Sequence, residues 1–171
     1  MLLQKLKKNL FSQETVSVIA IVAVLWGTNH FHNYSSQRPH YARTGLVITR
    51  SDGTAFSFAA EVAATPHEKD YGLMFVTRMA ADAGMIFPYS TPQEVDYWMK
   101  NTYIPLDMLF VRPDGTIGRI VAEARPLDVT PISSQEPVVA VIEINGGVAK
   151  KDGFAIGDKV SSPVIVQEGN P

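Results

Sequence analysis

The chain has 171 residues, of which 46% are hydrophobic and 19% charged, and it contains no cysteine. This composition excludes a wholly disordered chain, and the lack of cysteine excludes a disulfide framework, a thiolate metal site and a cysteine nucleophile. Residues 1–43 carry a net charge of +4 and residues 44–171 a net charge of −6. An acidic body argues against nucleic acid as a partner, because binding to phosphates requires a clustered basic face.

The first 27 residues have the layout of an export signal or a membrane anchor. Lys5, Lys7 and Lys8 precede the apolar run 16–27, and positive charge before a short hydrophobic stretch is typical of export segments. The run is shorter than the ~20 residues that span a bilayer, and no small-residue cleavage pair follows it. A cleaved signal and an uncleaved inner-membrane anchor both stay open. Either one predicts an extracytoplasmic body, periplasmic or secreted, that contacts the membrane only through this segment.

A polar tether is predicted over residues 28–44 and a single domain over residues 45–167. The tether is rich in Asn, Ser, Gln and Pro, which disfavour regular structure. His30 and His32 have a spacing that allows metal chelation, but a flexible segment offers no fixed ligand geometry. We therefore expect neither a metal site nor a cofactor. The oligomeric state stays open.

The body predicts an α+β fold that is mostly β. Strands are predicted at 46–50, 54–62, 85–87, 95–99, 104–111, 116–124, 138–144 and 159–166. Many short strands favour a compact barrel-like or rolled antiparallel sheet, because closure removes the exposed edges of such strands.

One or two short helices accompany these strands. Thr65, Pro66 and Glu68 form the start of the first helix, with a capping residue, a proline in the first turn and a capping-box glutamate. This helix is predicted to run from Pro66 to about Phe75. A second short helix is predicted within 149–157.

The usual catalytic signatures are missing from the sequence. We find no nucleophile elbow, phosphate-binding loop, zinc-binding His-Glu-x-x-His helix or dinucleotide fingerprint. His67 is the one histidine of residues 44–171, so a histidine-based triad is not expected. The body also holds Met74, Met79, Met85, Met99 and Met108. Thioethers bind Cu(I), but each of these methionines lies in an apolar run, which favours a packing role.

The densest group of aromatic and polar side chains lies in residues 97–107. The candidate ligand-binding residues are Trp98, Lys100, Asn101, Thr102 and Asp107. In one interpretation Trp98 is a stacking wall, while Lys100 and Asn101 bind an anionic or amide-bearing ligand. In the other, the segment is a structural corner in which Asn101 satisfies the turn, Asp107 binds Thr102 or pairs with Lys100, and Trp98 lies in the core.

A series of motifs in chain order resembles the family called domain of unknown function 192 (DUF192). The matching residues are Gly72-Leu73-Met74, Gly84-Met85-Ile86-Phe87, Trp98-Met99-Lys100-Asn101-Thr102, Ile104-Pro105-Leu106-Asp107, Asp114-Gly115, Glu143, Gly146-Gly147 and Gly157-Asp158. The resemblance covers residues 46–166 and implies a single compact, mainly β domain that is often exported. It brings no established activity, cofactor or substrate. It directs attention to Lys100, Asn101, Thr102 and Asp107, which match its signature.

Two functions from different classes follow from these observations. The first is an extracytoplasmic binding or accessory module that takes a small polar or saccharide-like ligand at a polar rim around residues 98–107. The second is a hydrolase in which Asp107 is the base while Lys100 and Asn101 stabilise developing negative charge. Paired carboxylates drawn from Asp107, Glu123 and Glu143 would also suit glycoside chemistry, although no spacing rule selects a pair. The missing nucleophile and metal site favour the binding module.

Overall fold

A computed structural model describes residues 38–165 of the chain. The predicted export segment 1–27 and the predicted tether up to residue 37 lie outside the described residues. The first strand begins at Ala42, inside the stretch predicted to be tether. The reason is Tyr41, whose buried hydroxyl lies 3.0 Å from the carbonyl oxygen of Gly72 and 3.2 Å from that of Glu68.

Nine strands and two short helices form residues 38–165. They are β1 Ala42–Thr49, β2 Ala55–Val62, α1 Pro66–Tyr71, β3 Ala83–Gln93, β4 Asp96–Tyr97, β5 Leu106–Val111, β6 Ile117–Ala124, β7 Ile132–Ser133, β8 Val138–Asn145, α2 Val148–Asp152 and β9 Lys159–Ser161. Seven strands form one sheet in the order β6-β5-β8-β3-β2-β1-β9, and β4 pairs with β7 in a separate ribbon. The predicted α+β, mostly β fold is confirmed.

The seven-stranded sheet curls into a half-barrel, and its two edges are linked at one point. Thr116, just before β6, forms a bridge to Lys159 of β9. Next to it, the N–H of Ile117 donates to the carbonyl of Asp158 at 2.8 Å. This contact confirms the predicted rolled sheet. One pair differs from the antiparallel expectation, since β2 and β3 run parallel and α1 lies in the crossover between them.

Alternate side chains of the central strands enter two buried clusters on opposite faces of the sheet. Ile86 and Leu109 belong to the first cluster, to which all seven strands of the sheet contribute. Met85 and Met108 belong to the second cluster, which β3, β5, β6 and β8 share with the loops that cover them. The site described below lies on this second face.

Helix α1 begins as predicted and ends earlier. Thr65 Oγ1 accepts from the N–H of Glu68 at 3.3 Å, and Glu68 Oε2 accepts from the N–H of Thr65 at 2.7 Å, so the capping box is confirmed. The helix ends at Tyr71 rather than near Phe75 because Gly72 has a φ of +50°. A Cβ on Gly72 would also lie 3.3 Å from the Phe87 ring, which favours glycine there.

Strand β3 continues past Pro88, where the sequence predicts its end. Proline is tolerated because β2 pairs with β3 only up to Ile86, so no neighbouring strand needs the missing N–H. On the other side, the register with β8 shifts between Pro88 and Gln93. This irregularity places Tyr89 at the edge of the cleft described below.

We predict that Thr65→Ala destabilises the domain by about 0.5–2 kcal/mol, because a helix of six residues loses its N-terminal side-chain acceptor. Urea unfolding followed by circular dichroism measures this loss. Thr77→Ala removes an exposed threonine outside the helix and serves as the matched control. Equal midpoints for the two variants would contradict the role of the cap.

Candidate functional site

A cleft of about 970 Å³ opens on the second face of the sheet. Its wall includes α1, the β3 irregularity, β4 and the turn that follows β4. The polar and aromatic side chains that line it include Lys69, Asp70, Tyr89, Asp96, Tyr97, Trp98, Lys100, Thr102 and Glu143. The apolar part of the wall includes Leu73, Met74 and Phe87.

Glu143 lies in the middle of the sheet that forms this face. In the strand register, Glu143 on β8 lies directly between Met85 on β3 and Met108 on β5. Both methionines are fully buried. Within the sheet, Glu143 is therefore flanked on both sides by methionine side chains.

The Glu143 carboxyl is buried and has no partner among the residues that the structure describes. The residue is 4% exposed, and across residues 38–165 its side chain accepts no hydrogen bond and forms no ion pair. Burial alone raises the pKa of Glu143 to about 8. At neutral pH the group is mostly a protonated acid, able both to donate and to accept a hydrogen bond.

Two tyrosines stand close to this acid. The hydroxyl oxygens of Tyr89 and Tyr97 lie 2.8 Å apart. The Tyr97 ring makes edge contacts with Phe87 and Phe110, with centroid distances of 5.1 and 6.3 Å. Burial raises the pKa of both tyrosines, and the charge of Glu143 raises each pKa further. The two phenols and the carboxyl therefore form one electrostatically coupled group.

Two lysines lie over aromatic rings of the cleft. Lys69 Nζ is 5.0 Å from the centroid of the Tyr89 ring and donates to the carbonyl of Ala64 at 2.9 Å. Partial burial lowers the pKa of Lys69. At the rim, Lys100 Nζ lies 5.2 Å from the centroid of Trp98, whose side chain is 50% exposed.

The turn that carries Trp98 and Lys100 is held from two sides by backbone hydrogen bonds. On one side the N–H of Phe75 donates to the carbonyl of Asn101 at 2.8 Å. On the other side the N–H of Leu127 donates to the carbonyl of Thr102 at 3.1 Å. Asn101 has a φ of +55°, a conformation that asparagine tolerates, and its Nδ2 lies 3.7 Å from Met74 Sδ. The rim is therefore a fixed platform.

Asp107 is fully buried and serves the backbone. Its Oδ1 accepts from the N–H groups of Glu123 at 2.7 Å and Gly147 at 3.0 Å, and its Oδ2 accepts from that of Ala149 at 2.7 Å. Gly147 is the N-cap of α2 and has no side-chain acceptor of its own, so Asp107 supplies the cap from β5. Within residues 38–165, Asp107 forms no ion pair with Lys100.

The structure brings part of the predicted candidate set together. Trp98, Lys100 and Thr102 line the cleft, whereas Asn101 and Asp107 do not. Asn101 holds the turn, in agreement with the structural-corner interpretation, and Thr102 is buried with its Oγ1 3.4 Å from the Lys100 carbonyl.

Sequence reasoning missed the floor of the cleft. In the sequence, Glu143 is one of three candidate carboxylates and one of the residues that resemble DUF192, and neither observation points to a pair with Tyr89 and Tyr97. The available signal was one charged residue inside the apolar strand 138–144, since an acid at such a position is rare without a partner.

The methionines occupy packing positions. Met85, Met99 and Met108 are fully buried members of the second cluster, and Met79 packs against it. Among the residues that the structure describes, no three His, Asp or Glu side chains are grouped as metal ligands require.

The half-barrel and its aromatic-lined cleft define residues 38–165 as a small domain with a mixed β-sheet. Residues 47–162 match the DUF192 family, described as "Uncharacterized ACR". The match covers more than half of the chain, and this protein belongs to the DUF192 family.

Two solved structures resemble this chain closely enough to support the same fold. One is a protein from Sinorhizobium meliloti 1021 described as a candidate transcription regulator, with 38% identity and a TM-score of 0.72 over 74% of this chain and 98% of the other. The other is a protein of unknown function from Novosphingobium aromaticivorans DSM 12444, with 37% identity and a TM-score of 0.68 over 75% of this chain and 95% of the other. No curated protein matches the chain. Neither helix between residues 38 and 165 is long and apolar enough to cross a bilayer.

We predict that Asp107→Asn destabilises the fold by about 3 kcal/mol, because the amide would direct N–H donors at backbone N–H groups in a buried site. Lys100→Ala should change stability by less than about 1 kcal/mol, since it removes only an exposed cation–π contact. Chemical denaturation measures both values, with the exposed Asp82→Asn as the matched control. A large loss for Lys100→Ala would restore the ion-pair interpretation.

We predict that Glu143→Gln stabilises the domain at neutral and alkaline pH. The folded state keeps the Glu143 proton up to a pKa of about 8, whereas the ordinary pKa of a glutamate is about 4.5. Folding therefore takes up a proton between these values, and wild-type stability falls as pH rises through this window. The variant should be about 3 kcal/mol more stable at pH 7, and the difference should vanish near pH 4.

The measurement is urea unfolding of both proteins from pH 4 to 9. Glu94→Gln, which removes an exposed carboxyl, is the control. A stability difference that is independent of pH would contradict the buried, unpaired state of Glu143.

Proposed function

We propose that this protein is an exported small-ligand-binding protein and that its cleft holds a small polar ligand against Glu143. The observation that carries the proposal is the buried, unpartnered carboxyl at the floor of the cleft. A buried acid without a partner destabilises a fold. A ligand that supplies hydrogen bonds or an opposite charge would explain why Glu143 occupies this buried position, which packing does not explain.

The rim of the cleft is suited to orienting such a ligand. Trp98 and Lys100 present an aromatic face and a cation from a turn that is fixed by hydrogen bonds to two other loops. A rigid platform loses little conformational entropy when a ligand binds. Of the ligand rim that the sequence predicts at residues 98–107, the proposed site keeps Trp98, Lys100 and Thr102. It adds Glu143, Tyr89 and Tyr97 at the floor of the cleft.

Export is the second part of the proposal. It is supported by the charge pattern of the first 27 residues, with three lysines before the apolar run 16–27. The body would then meet ligands outside the cytoplasm, either as a free protein or tethered to the inner membrane.

A hydrolase is the alternative, and it requires a different acid from Asp107. All contacts of Asp107 are with backbone N–H groups, so that carboxylate is not available to a substrate. Glu143 is the carboxyl whose raised pKa suits a general acid at neutral pH. The ligand experiment below separates the two functions.

Transcription regulation, the description given to the S. meliloti relative, is not the function we favour. Residues 44–171 carry a net charge of −6, and DNA binding depends on a positively charged face.

The proposal is tested by expressing the full chain and recovering it from the extracytoplasmic fraction. Compounds that co-purify are then identified by mass spectrometry. We expect one small polar compound to be enriched with the wild-type protein. Trp98→Ala should retain roughly tenfold less of it, whereas Ile156→Ala, which removes an exposed side chain outside the cleft, should retain as much as wild type.

Each remaining outcome has a defined meaning. Recovery of the protein only from the cytosol would contradict export. Equal retention by Trp98→Ala and Ile156→Ala, or no enriched compound, would contradict ligand binding in the cleft. A co-purifying compound that is cleaved during incubation with the protein, into products whose combined mass exceeds its own by one water, would identify a hydrolase.

A further inference from the structure

We propose that the ligand of this cleft carries a primary ammonium group, which binds the Glu143 carboxylate and the hydroxyl oxygens of Tyr89 and Tyr97. This inference rests on the proposed function and names the chemical class of its ligand. It is based on three observations. No cation among residues 38–165 pairs with Glu143, the floor of the cleft offers several acceptor oxygens, and the two lysines of the cleft make their contacts elsewhere.

The first step concerns the missing charge. Glu143 is buried in the sheet between Met85 and Met108, and no cation among residues 38–165 pairs with it. A buried carboxylate is stabilised most strongly by a cation that also donates hydrogen bonds. A neutral ligand would satisfy the hydrogen-bonding capacity of the protonated acid, whereas only a cation compensates the charge of its ionised form.

The second step concerns the number of acceptors. The hydroxyl oxygens of Tyr89 and Tyr97 are 2.8 Å apart, so one hydroxyl donates to the other and lone pairs remain on both oxygens. The charge of Glu143 acts on both phenols. A carboxylate and two phenol oxygens offer three acceptors, which equals the three N–H donors of a primary ammonium. A quaternary ammonium has no N–H donor to give them.

The third step concerns the lysines of the cleft. Lys69 Nζ is committed to the Ala64 carbonyl and the Tyr89 ring, and Lys100 Nζ lies over Trp98 at the rim. Neither lysine pairs with Glu143. The ionisable groups that line the cleft around Glu143 are Lys69, Asp70 and Tyr71 from α1, Tyr89 from β3, Asp96 and Tyr97 from β4, and Lys100 from the turn.

The charges at the rim do not oppose a cationic ligand. Asp70 and Asp96 balance Lys69 and Lys100 in number. The walls near Leu73, Met74 and Trp98 are apolar, so the ammonium should be attached to an apolar or aromatic portion.

Binding should release a proton. The ligand enters as an ammonium, and Glu143, which is protonated at neutral pH, loses its proton to the solvent as the ion pair forms. No bond is made or broken in the ligand. The release should be close to one proton per ligand at pH 7 and should fall above pH 8.

The test uses isothermal titration calorimetry on the full chain at pH 7, in buffers of different ionisation enthalpy. The probes are 2-phenylethylamine, the neutral 2-phenylethanol and trimethyl(2-phenylethyl)ammonium. We expect the amine to bind at least about tenfold more tightly than either of the other probes and to release about one proton.

Two variants locate the effect. Glu143→Gln should weaken amine binding at least about tenfold and abolish proton release. Tyr89→Phe should weaken amine binding about threefold. Glu143→Gln is expected to fold well, because it removes a group that destabilises the domain, and its urea midpoint checks this directly.

Equal affinity for the amine and the alcohol, or amine binding that Glu143→Gln does not change, would overturn the inference. If the amine fails to bind while a different co-purifying compound depends on Trp98, the ammonium inference is wrong and the proposed function stands. If no compound and no probe binds in the cleft, both are wrong.

Discussion

The carboxylate of Asp107 joins three segments that are distant in sequence, and the second face of the sheet depends on this junction. Its two oxygens accept N–H groups from Glu123 on β6 and from Gly147 and Ala149 at the start of α2. Glu123 has a φ of +50°, and the β5–β6 register shifts near this point. A charged acceptor buried among N–H donors is favourable because each donor would otherwise lose its bond to water. The junction fixes β5 against β6 and α2. Strand β5 in turn supplies Met108, which lies beside Glu143 in the strand register.

Two acids on neighbouring strands therefore have opposite roles. Asp107 on β5 pairs with Ile144 on β8, one residue from Glu143. Strand alternation sends the two carboxyl groups to opposite faces. One meets three backbone donors, whereas the other meets two methionines and an open cleft. The first acid contributes to stability, and the second lowers stability at neutral pH. Such an unfavourable group is typical of functional sites, where local stability is sacrificed for binding or chemistry.

Local patterns predicted much of the fold, and long-range contacts decided the rest. The capping box at Thr65 and the apolar strand 138–144 follow from short-range chemistry, and both are found in the structure. The helix end at Gly72 depends on the Phe87 ring, a contact that no local pattern reveals. The same limit applies to the site. The sequence indicates the turn at 98–103, but the approach of Glu143 to Tyr89 and Tyr97 depends on the β3–β8 register and the irregularity after Pro88. The resemblance to DUF192 includes both the segment Trp98–Thr102 and Glu143, but it does not show that they line the same cleft.

The order of strands in the sheet has a consequence for how the chain folds. β9, near the end of the chain, pairs with β1 at its beginning, with Val47 opposite Ser161. A sheet that closes by joining segments so far apart in sequence must first overcome a large loop entropy, and such topologies fold slowly. Strand β9 is also the last strand of the sheet to be synthesised, so the sheet cannot close before β9 has emerged. Slow closure would leave time for an unfolded chain to pass through a translocation pore, in keeping with the export that we propose.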